Sequence, residues 1–372
     1  MADRTCVTLP DMFRGFIVQE PKVNKHYEAV KPVSEKWLAR ICAFSPMMQK
    51  RVGACDFSYF CSIAAPEAPI HKLRTMCDWG NWVFPFDDMF DSGDLRSDLI
   101  VTRHVLDSLL ADMKGHKFRG LKIPVVLAHD DIYRRLSEVE TKNPSHTSSV
   151  PKTTPQTRVL TSISGVQRRF ARAMELYALG VAQHVQDFTE SGLPCPQEML
   201  ETRRLSVGVA PLYHLVEYAH SIRLPDEVFE DPAIQTLERL GADMVIMSND
   251  MLSYQKEEAS TNNEGCPFNM VAACRMSGQS AQEAFDTVGA LLEDSYYEWE
   301  ETMRQVPAWG GDVERDVQRY IKGIQDVVQA NITWSFRSKR YLGVHAPEVR
   351  RTKKFDVMTH PPYLDKDMAE LR

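Results

Sequence analysis

No two of the eight cysteines (Cys6, Cys42, Cys55, Cys61, Cys77, Cys195, Cys266, Cys274) form a C-x-x-C pair, and none falls at zinc-ligand spacing. That excludes a zinc ribbon or a dithiol redox centre and leaves reduced, mostly buried thiols, as expected of a cytoplasmic protein. A run of about 18 apolar residues is also missing, so no spanning helix and no stable membrane insertion are expected. The opening Met-Ala-Asp-Arg-Thr-Cys-Val-Thr is too polar for a signal-peptide core. Basic excess is absent: the formal net charge is −7, which argues against a broad nucleic-acid surface. An acidic chain still binds an anionic small molecule where metal ions intervene. Asn-Gly and Asp-Gly hairpin turns between alternating runs are scarce, and no internal repeat occurs.

What is present is helical periodicity. The chain has 372 residues and 43% hydrophobic content, enough for a sizeable core. From Val159 to Glu190, apolar residues recur by threes and fours at Ile163, Val166, Phe170, Met174, Tyr177 and Val181, the stripe of a buried helix. Leu237–Glu258 repeats the pattern through Leu240, Met244, Met247, Met251 and Tyr254. Ala281–Arg304 and Val313–Tyr341 read as two further long helices. The expected class is all-α. Residues 141–156, rich in Pro, Ser and Thr, read as a flexible connection between helices. The tail 344–372 is expected to be either disordered or folded back as a lid. No linker divides the chain, so residues 1–372 are read as one domain.

Two phrases carry chemistry. Asn249, Ser253 and Glu257 stand four residues apart, so an amide, a hydroxyl and a carboxylate stack on one helix face. Oxygen donors in small number, with water or phosphate completing the shell, suit Mg²⁺. Far upstream, Asp87-Asp88-Met89-Phe90-Asp91 sets Asp87 and Asp91 one turn apart, with Phe84 on nearly the same face. Two such faces in one chain point to a clamp around a diphosphate, with an apolar cavity behind it.

In this combination the chain resembles the class I terpene synthases, specifically the microbial, fungal-type sesquiterpene cyclases, over roughly Asn24 to Tyr341. Asp87–Asp91, followed by Ser92-Gly93-Asp94-Leu95, resembles the aspartate-rich metal motif. Asn249 to Glu257 matches the second motif, (N/D)-D-x-x-S-x-x-K-E, over its full length. Asn331-Ile332-Thr333-Trp334-Ser335, continuing to Arg340-Tyr341, resembles the closing N-x-x-W … R-Y element. Asn24-Lys25-His26-Tyr27 is close to the N-P-H-Y opening, with Lys25 in place of proline. Arg203-Arg204-Leu205-Ser206-Val207-Gly208 is similar to the diphosphate-sensing segment. Arg204 lies four residues before Gly208 and 45 before Asn249, and Arg203 lies 46 before it. The local pattern narrowly favours Arg204, and both are kept.

The resemblance implies a helical bundle around a central apolar cavity and a Mg²⁺-dependent sesquiterpene synthase that ionises and cyclises farnesyl diphosphate, releasing diphosphate. It also implies three Mg²⁺ ions, two held by Asp87 with Asp91 and one by Asn249, Ser253 and Glu257. Arg204 or Arg203, Lys256, Arg340 and Tyr341 are then the diphosphate donors. Phe84, Gly208 and Trp334 face the substrate, with Phe57, Phe60 and Tyr213 as weaker candidates. The expected partner is the small-molecule substrate alone, to a monomer or homodimer. Two alternatives stand beside this. A chain-elongating prenyl diphosphate synthase shares the architecture but repeats an aspartate-rich motif where this chain has N-D-x-x-S-x-x-K-E. A non-catalytic α-helical interaction protein needs neither metal face intact.

Overall fold

The computed structural model describes residues 3–91, 93–138, 165–190, 195–260 and 266–364. Fifteen α-helices and two short strands are assigned among them. In chain order they are β1 (Arg4–Thr8), α1 (Tyr27–Ile41), α2 (Pro46–Cys55), α3 (Phe57–Ala64), α4 (Ile70–Asp91), α5 (Leu99–Leu110), α6 (Pro124–Glu138), α7 (Gly165–Glu190) and α8 (Pro196–Ser206). There follow α9 (Val209–Ala219), α10 (Asp226–Glu230), α11 (Pro232–Ser260), α12 (Met270–Met276), α13 (Ala281–Met303), α14 (Gly311–Arg337), α15 (Ala346–Thr352) and β2 (Lys354–Met358). The all-α expectation holds, with one two-stranded addition. Residues 141–156 and 159–164 lie outside the described residues.

Start signals are written locally. Ser280 accepts from Glu283 N while the Glu283 carboxylate accepts from Ser280 N, a reciprocal cap that opens α13. Pro46 and Pro196 sit in the first turns of α2 and α8, where a missing N–H costs nothing. Within α4, Pro85 removes one intrahelical bond just before Asp87.

The helices close a ring. α3 packs on α14, α14 on α11, α11 on α9, α9 on α4, and α4 back on α3. Phe86, Leu240, Met244 and Ile324 of these helices are fully or almost fully buried, as are Phe170 and Tyr177 of α7. Gly180 of α7 permits one close approach: a Cβ there would come within 2.6 Å of Ser206 N on α8. α8 is thereby drawn against α7, which sets the position of Arg203.

The expected last helix, Val313–Tyr341, stops at Arg337. Ser338 leaves the helix with φ −64° and ψ 146°, its hydroxyl donating to Cys55 O at 2.9 Å and accepting from Arg340 N at 3.0 Å. That turn swings Arg340 and Tyr341 off the helix and back over the cavity.

Of the tail, residues 344–364 carry defined elements, and none of them lines the cavity. After α15 the chain forms β2, which pairs antiparallel with β1, Arg4 opposite Met358. This strap runs behind α11, away from the cavity. Gln255 Nε2 donates to Asp356 O (2.5 Å), Met358 N donates to Glu258 Oε1 (2.9 Å), and the hydroxyls of Tyr254 and Tyr363 lie 2.5 Å apart. Arg275 of α12, only 3% exposed, donates to Met358 O, Thr359 O and Tyr254 Oη at 2.9, 2.7 and 3.0 Å. Residues 365–372 lie outside the described residues.

Arg275→Ala strips two carbonyls of their donors at a largely buried junction, a cost of about 2–5 kcal/mol. Urea unfolding should show a loss of that size. A change below about 0.5 kcal/mol, the scale of an ordinary surface substitution, would show that Arg275 does not hold the strap.

Candidate active site

α4 runs from the interior outward. Gly80 is buried, while Asp91, eleven residues on and about 16 Å along the axis, has a side chain 41% exposed. Between them Val83, Phe84, Asp87 and Asp88 face one cavity. Its apolar wall is built from Phe60, Cys61, Trp79, Val83, Phe84, Val209, Leu212 and Val245. Its rim is polar: Asp87, Asp88, Asp91, Arg96, His184, Arg203, Asn249, Lys256, Glu257, Arg340 and Tyr341. The two oxygen-donor faces, more than 150 residues apart in sequence, thus line one opening.

On the first face, burial and the neighbouring Asp91 push the Asp87 carboxyl well above the usual carboxylate range, against the pull of Arg203. Tyr177 of α7 donates to Asp87 Oδ1 at 3.0 Å. Asp88 differs: burial would raise its pKa, but Arg340 overrides it and holds the carboxyl below its ordinary value. The pair is bidentate, with Arg340 Nη2 and Nη1 donating at 2.7 and 3.1 Å. Arg340 also lies 5.2 Å from the centroid of Phe84.

On the second face, Asn249 and Glu257 line the cavity. Asn249 Nδ2 donates to the Tyr341 hydroxyl at 2.9 Å. Burial pushes that phenol up to about 12, so it stays a donor at neutral pH. Ser253, one turn from each, is fully buried and its Oγ has no hydrogen-bond partner. A buried hydroxyl left unpaired between two cavity-facing oxygen donors fits a third ligand to a hard cation. Among the described residues no three His, Cys, Asp or Glu side chains converge to hold a metal by themselves. The second face reaches three donors only through its amide and hydroxyl.

Arg203 stands between the two faces. Burial works against its charge, but Asp250, Asp91, Glu257 and Asp87 around it outweigh burial and keep it protonated. Its Nη2 donates to Asp250 Oδ1 at 2.5 Å. Burial raises Asp250 to about 6 even so. Gly208, at φ +73°, breaks the run between α8 and α9 and lines the cavity.

Of the two candidate arginines, Arg203 faces the cavity and the narrowly favoured Arg204 does not. Arg204 points to the other side of α8, where it donates to both oxygens of Asp243 at 2.6 and 2.9 Å and lines a separate hollow. Adjacent helical residues differ by about 100° in direction, and the packing of α8 on α7, α11 and α12 decides which one faces in. Three aromatic expectations also change. Trp334 is fully buried behind the wall, its Nε1 donating to Cys55 O at 2.7 Å while its ring supports Phe84 and Tyr341. Tyr213 lines the Arg204 hollow, and Phe57 stacks behind Phe84 at 4.1 Å. Of the candidate rings, Phe84 and Phe60 reach the cavity.

Sequence reasoning missed Trp79, Tyr177, His184 and Asp250. Burial lowers His184 to about 3, so its 3.5 Å approach to Asp91 is no ion pair. Its ring stacks on Phe268 at 4.0 Å. Asp250 alone had a signal, as an acidic residue inside the second motif, seven residues before Glu257 and so on nearly the same helix face.

A carboxylate-rimmed apolar cavity inside a ring of helices, with a second oxygen-donor face opposite, is the arrangement of class I terpenoid synthases. Residues 78–298 match the family model described as terpene synthase family 2, C-terminal metal binding. Silphinene synthase of Penicillium patulum is 31% identical over 95% of this chain and 90% of its own length. Cycloaraneosene synthase of Sordaria araneosa is 30% identical over 94% and 90%. Among solved structures, cucumene synthase superposes with a TM-score of 0.68 at 19% identity, covering 85% of this chain and 98% of that one. The chain belongs to the terpene synthase family. No described helix is long and apolar enough to cross a membrane.

Arg203→Ala should lower turnover of a prenyl diphosphate about 100- to 1000-fold, the loss typical of one preorganised donor. Arg204→Ala should act mainly on stability, by freeing Asp243. Steady-state kinetics on both variants checks this, and the opposite order would return the sensing role to Arg204.

Proposed function

We propose that this chain is a Mg²⁺-dependent sesquiterpene cyclase that ionises farnesyl diphosphate, folds and cyclises the resulting cation, and releases diphosphate. The observation that carries the reading is the meeting of both donor faces at one rim with Arg203, Lys256 and Arg340 beside them. Three Mg²⁺ ions complete the proposal, two on Asp87 with Asp91 and one on Asn249, Ser253 and Glu257. When bound, such ions act as Lewis acids on a leaving diphosphate.

The chain's own residues do the rest. Arg203, Lys256 and Arg340 are placed to donate to diphosphate oxygens, and the Tyr341 hydroxyl adds a neutral donor. Arg340 is bound to Asp88 here, so an arriving diphosphate competes with that carboxylate for the guanidinium. The wall of Phe60, Trp79, Val83, Phe84 and Leu212 excludes water from the allylic cation. Aromatic faces also attract that cation, by roughly 2 kcal/mol or more once desolvated. Among the described residues, the carboxylates that line the cavity are Asp87, Asp88, Asp91 and Glu257, all in the two motifs already assigned to metal ions or paired with Arg340. The final proton is therefore assigned to the departing diphosphate.

Farnesyl diphosphate is preferred because one relative carries a sesquiterpene name, sesquiterpene synthase 9 of Postia placenta, 29% identical over 96% of this chain. Incubation with geranyl, farnesyl and geranylgeranyl diphosphates plus Mg²⁺ should give cyclic C15 hydrocarbons or alcohols by mass spectrometry. Cyclic C20 products alone would overturn the chain length, and longer prenyl diphosphates would overturn cyclisation itself. Asp87→Asn should cut turnover by about 100-fold or more with the far-UV circular dichroism unchanged. Full activity in that variant would remove Asp87 from the metal role.

A further inference from the structure

Asn269, fully buried at the start of α12, uses both amide hydrogens and its carbonyl oxygen in hydrogen bonds. Its Oδ1 accepts from Val271 N at 2.8 Å, which caps α12. The two hydrogens of Nδ2 go elsewhere, one to Asp250 O at 2.8 Å and one to Glu257 Oε2 at 2.8 Å. The next residue adds a third tie: Met270 N donates to Asp250 Oδ2 at 2.8 Å, while Asp250 Oδ1 receives Arg203. One turn of α12 thus grips the carboxylate of Glu257, the backbone of α11 at Asp250, and the counter-charge of Arg203.

We propose that Asn269 is a positioning residue for the second metal face: its amide fixes the Glu257 carboxylate, and with it the register of α11 against the Arg203–Asp250 pair, before a cation arrives. The inference rests on the reading of Asn249, Ser253 and Glu257 as that face. A capping role alone needs only Oδ1. The second bond, from Nδ2 to a cavity-facing carboxylate, is what a cap does not require. A carboxylate whose outer oxygen is already held loses less freedom on binding a cation, and its geometry is set in advance.

The test measures Mg²⁺ binding rather than turnover. The full chain is titrated with Mg²⁺ at fixed inorganic diphosphate, read by calorimetry and by thermal unfolding. Asn269→Ser keeps an acceptor for Val271 N but deletes both Nδ2 donors, and Asn269→Asp sets a second carboxylate against Glu257. Both should raise the half-saturating Mg²⁺ concentration roughly 10- to 100-fold, the usual effect of removing a residue that orients a metal ligand. Ser280→Ala removes a comparable cap on α13, remote from the cavity. It should lower the melting temperature and leave the Mg²⁺ midpoint in place. A Mg²⁺ midpoint in Asn269→Ser equal to that of the unsubstituted protein overturns the inference. So does an equal shift in Ser280→Ala, which would make the effect one of general stability. Should Asn269→Asp fail to fold, Asn269→Ser decides alone. An unsubstituted protein that shows no Mg²⁺ response overturns the metal-site reading itself, a result distinct from either.

Discussion

Carboxylates on the rim of a greasy hollow repel one another, and burial disfavours their charge still further. That constraint organises this molecule. Asp87, Asp91, Asp88, Asp250 and Glu257 crowd into one region, and without counter-charges several would take up protons. Arg203 and Arg340 supply part of the answer, each held by a carboxylate of its own, Asp250 and Asp88. What remains uncompensated centres on Asp87, whose carboxyl burial and the neighbouring Asp91 push well above the usual range. A divalent cation relieves that repulsion where a proton otherwise would. The chemistry of the donor set and its electrostatic strain therefore call for the same ion.

The helix bearing the second face is held from both sides. In front it meets the cavity through Asn249 and Glu257. Behind, Tyr254, Gln255 and Glu258 bond to a strap made from the two ends of the chain. α12 joins the two sides, with Asn269 forward and Arg275 backward. Residues 344–364 thus support the site without lining it. Preorganisation of this kind is what a diphosphate-ionising site requires, since donors that must first reorganise give back much of their stabilisation.

Much of this was legible in the chain. The donor triad on α11 followed from a spacing of four, because one helical turn fixes which side chains share a face. The same period located α7, α11, α13 and α14 to within a few residues. Where the reading failed, long-range packing was decisive. Arg203 and Arg204 differ by one helical step, and the packing of α8 on α7, α11 and α12 turns one inward. Trp334 belongs to the right motif, yet Phe57 and Phe84 stand between it and the cavity. β1 and β2 are five residues each, too short to announce a strand, and each is completed only by a partner some 350 residues away. Tyr177 offered no signal at all, being one more aromatic on an apolar stripe until the fold sets its hydroxyl on Asp87.

The most direct test is a crystal structure of the full chain grown with Mg²⁺ and inorganic diphosphate. The account predicts cations bound to Asp87 and to Asn249, Ser253 and Glu257, with diphosphate oxygens on Arg203 and Arg340 and the cavity closed beneath them. Diphosphate seated in the hollow beside Arg204, or cations that leave either donor face unligated, would contradict it.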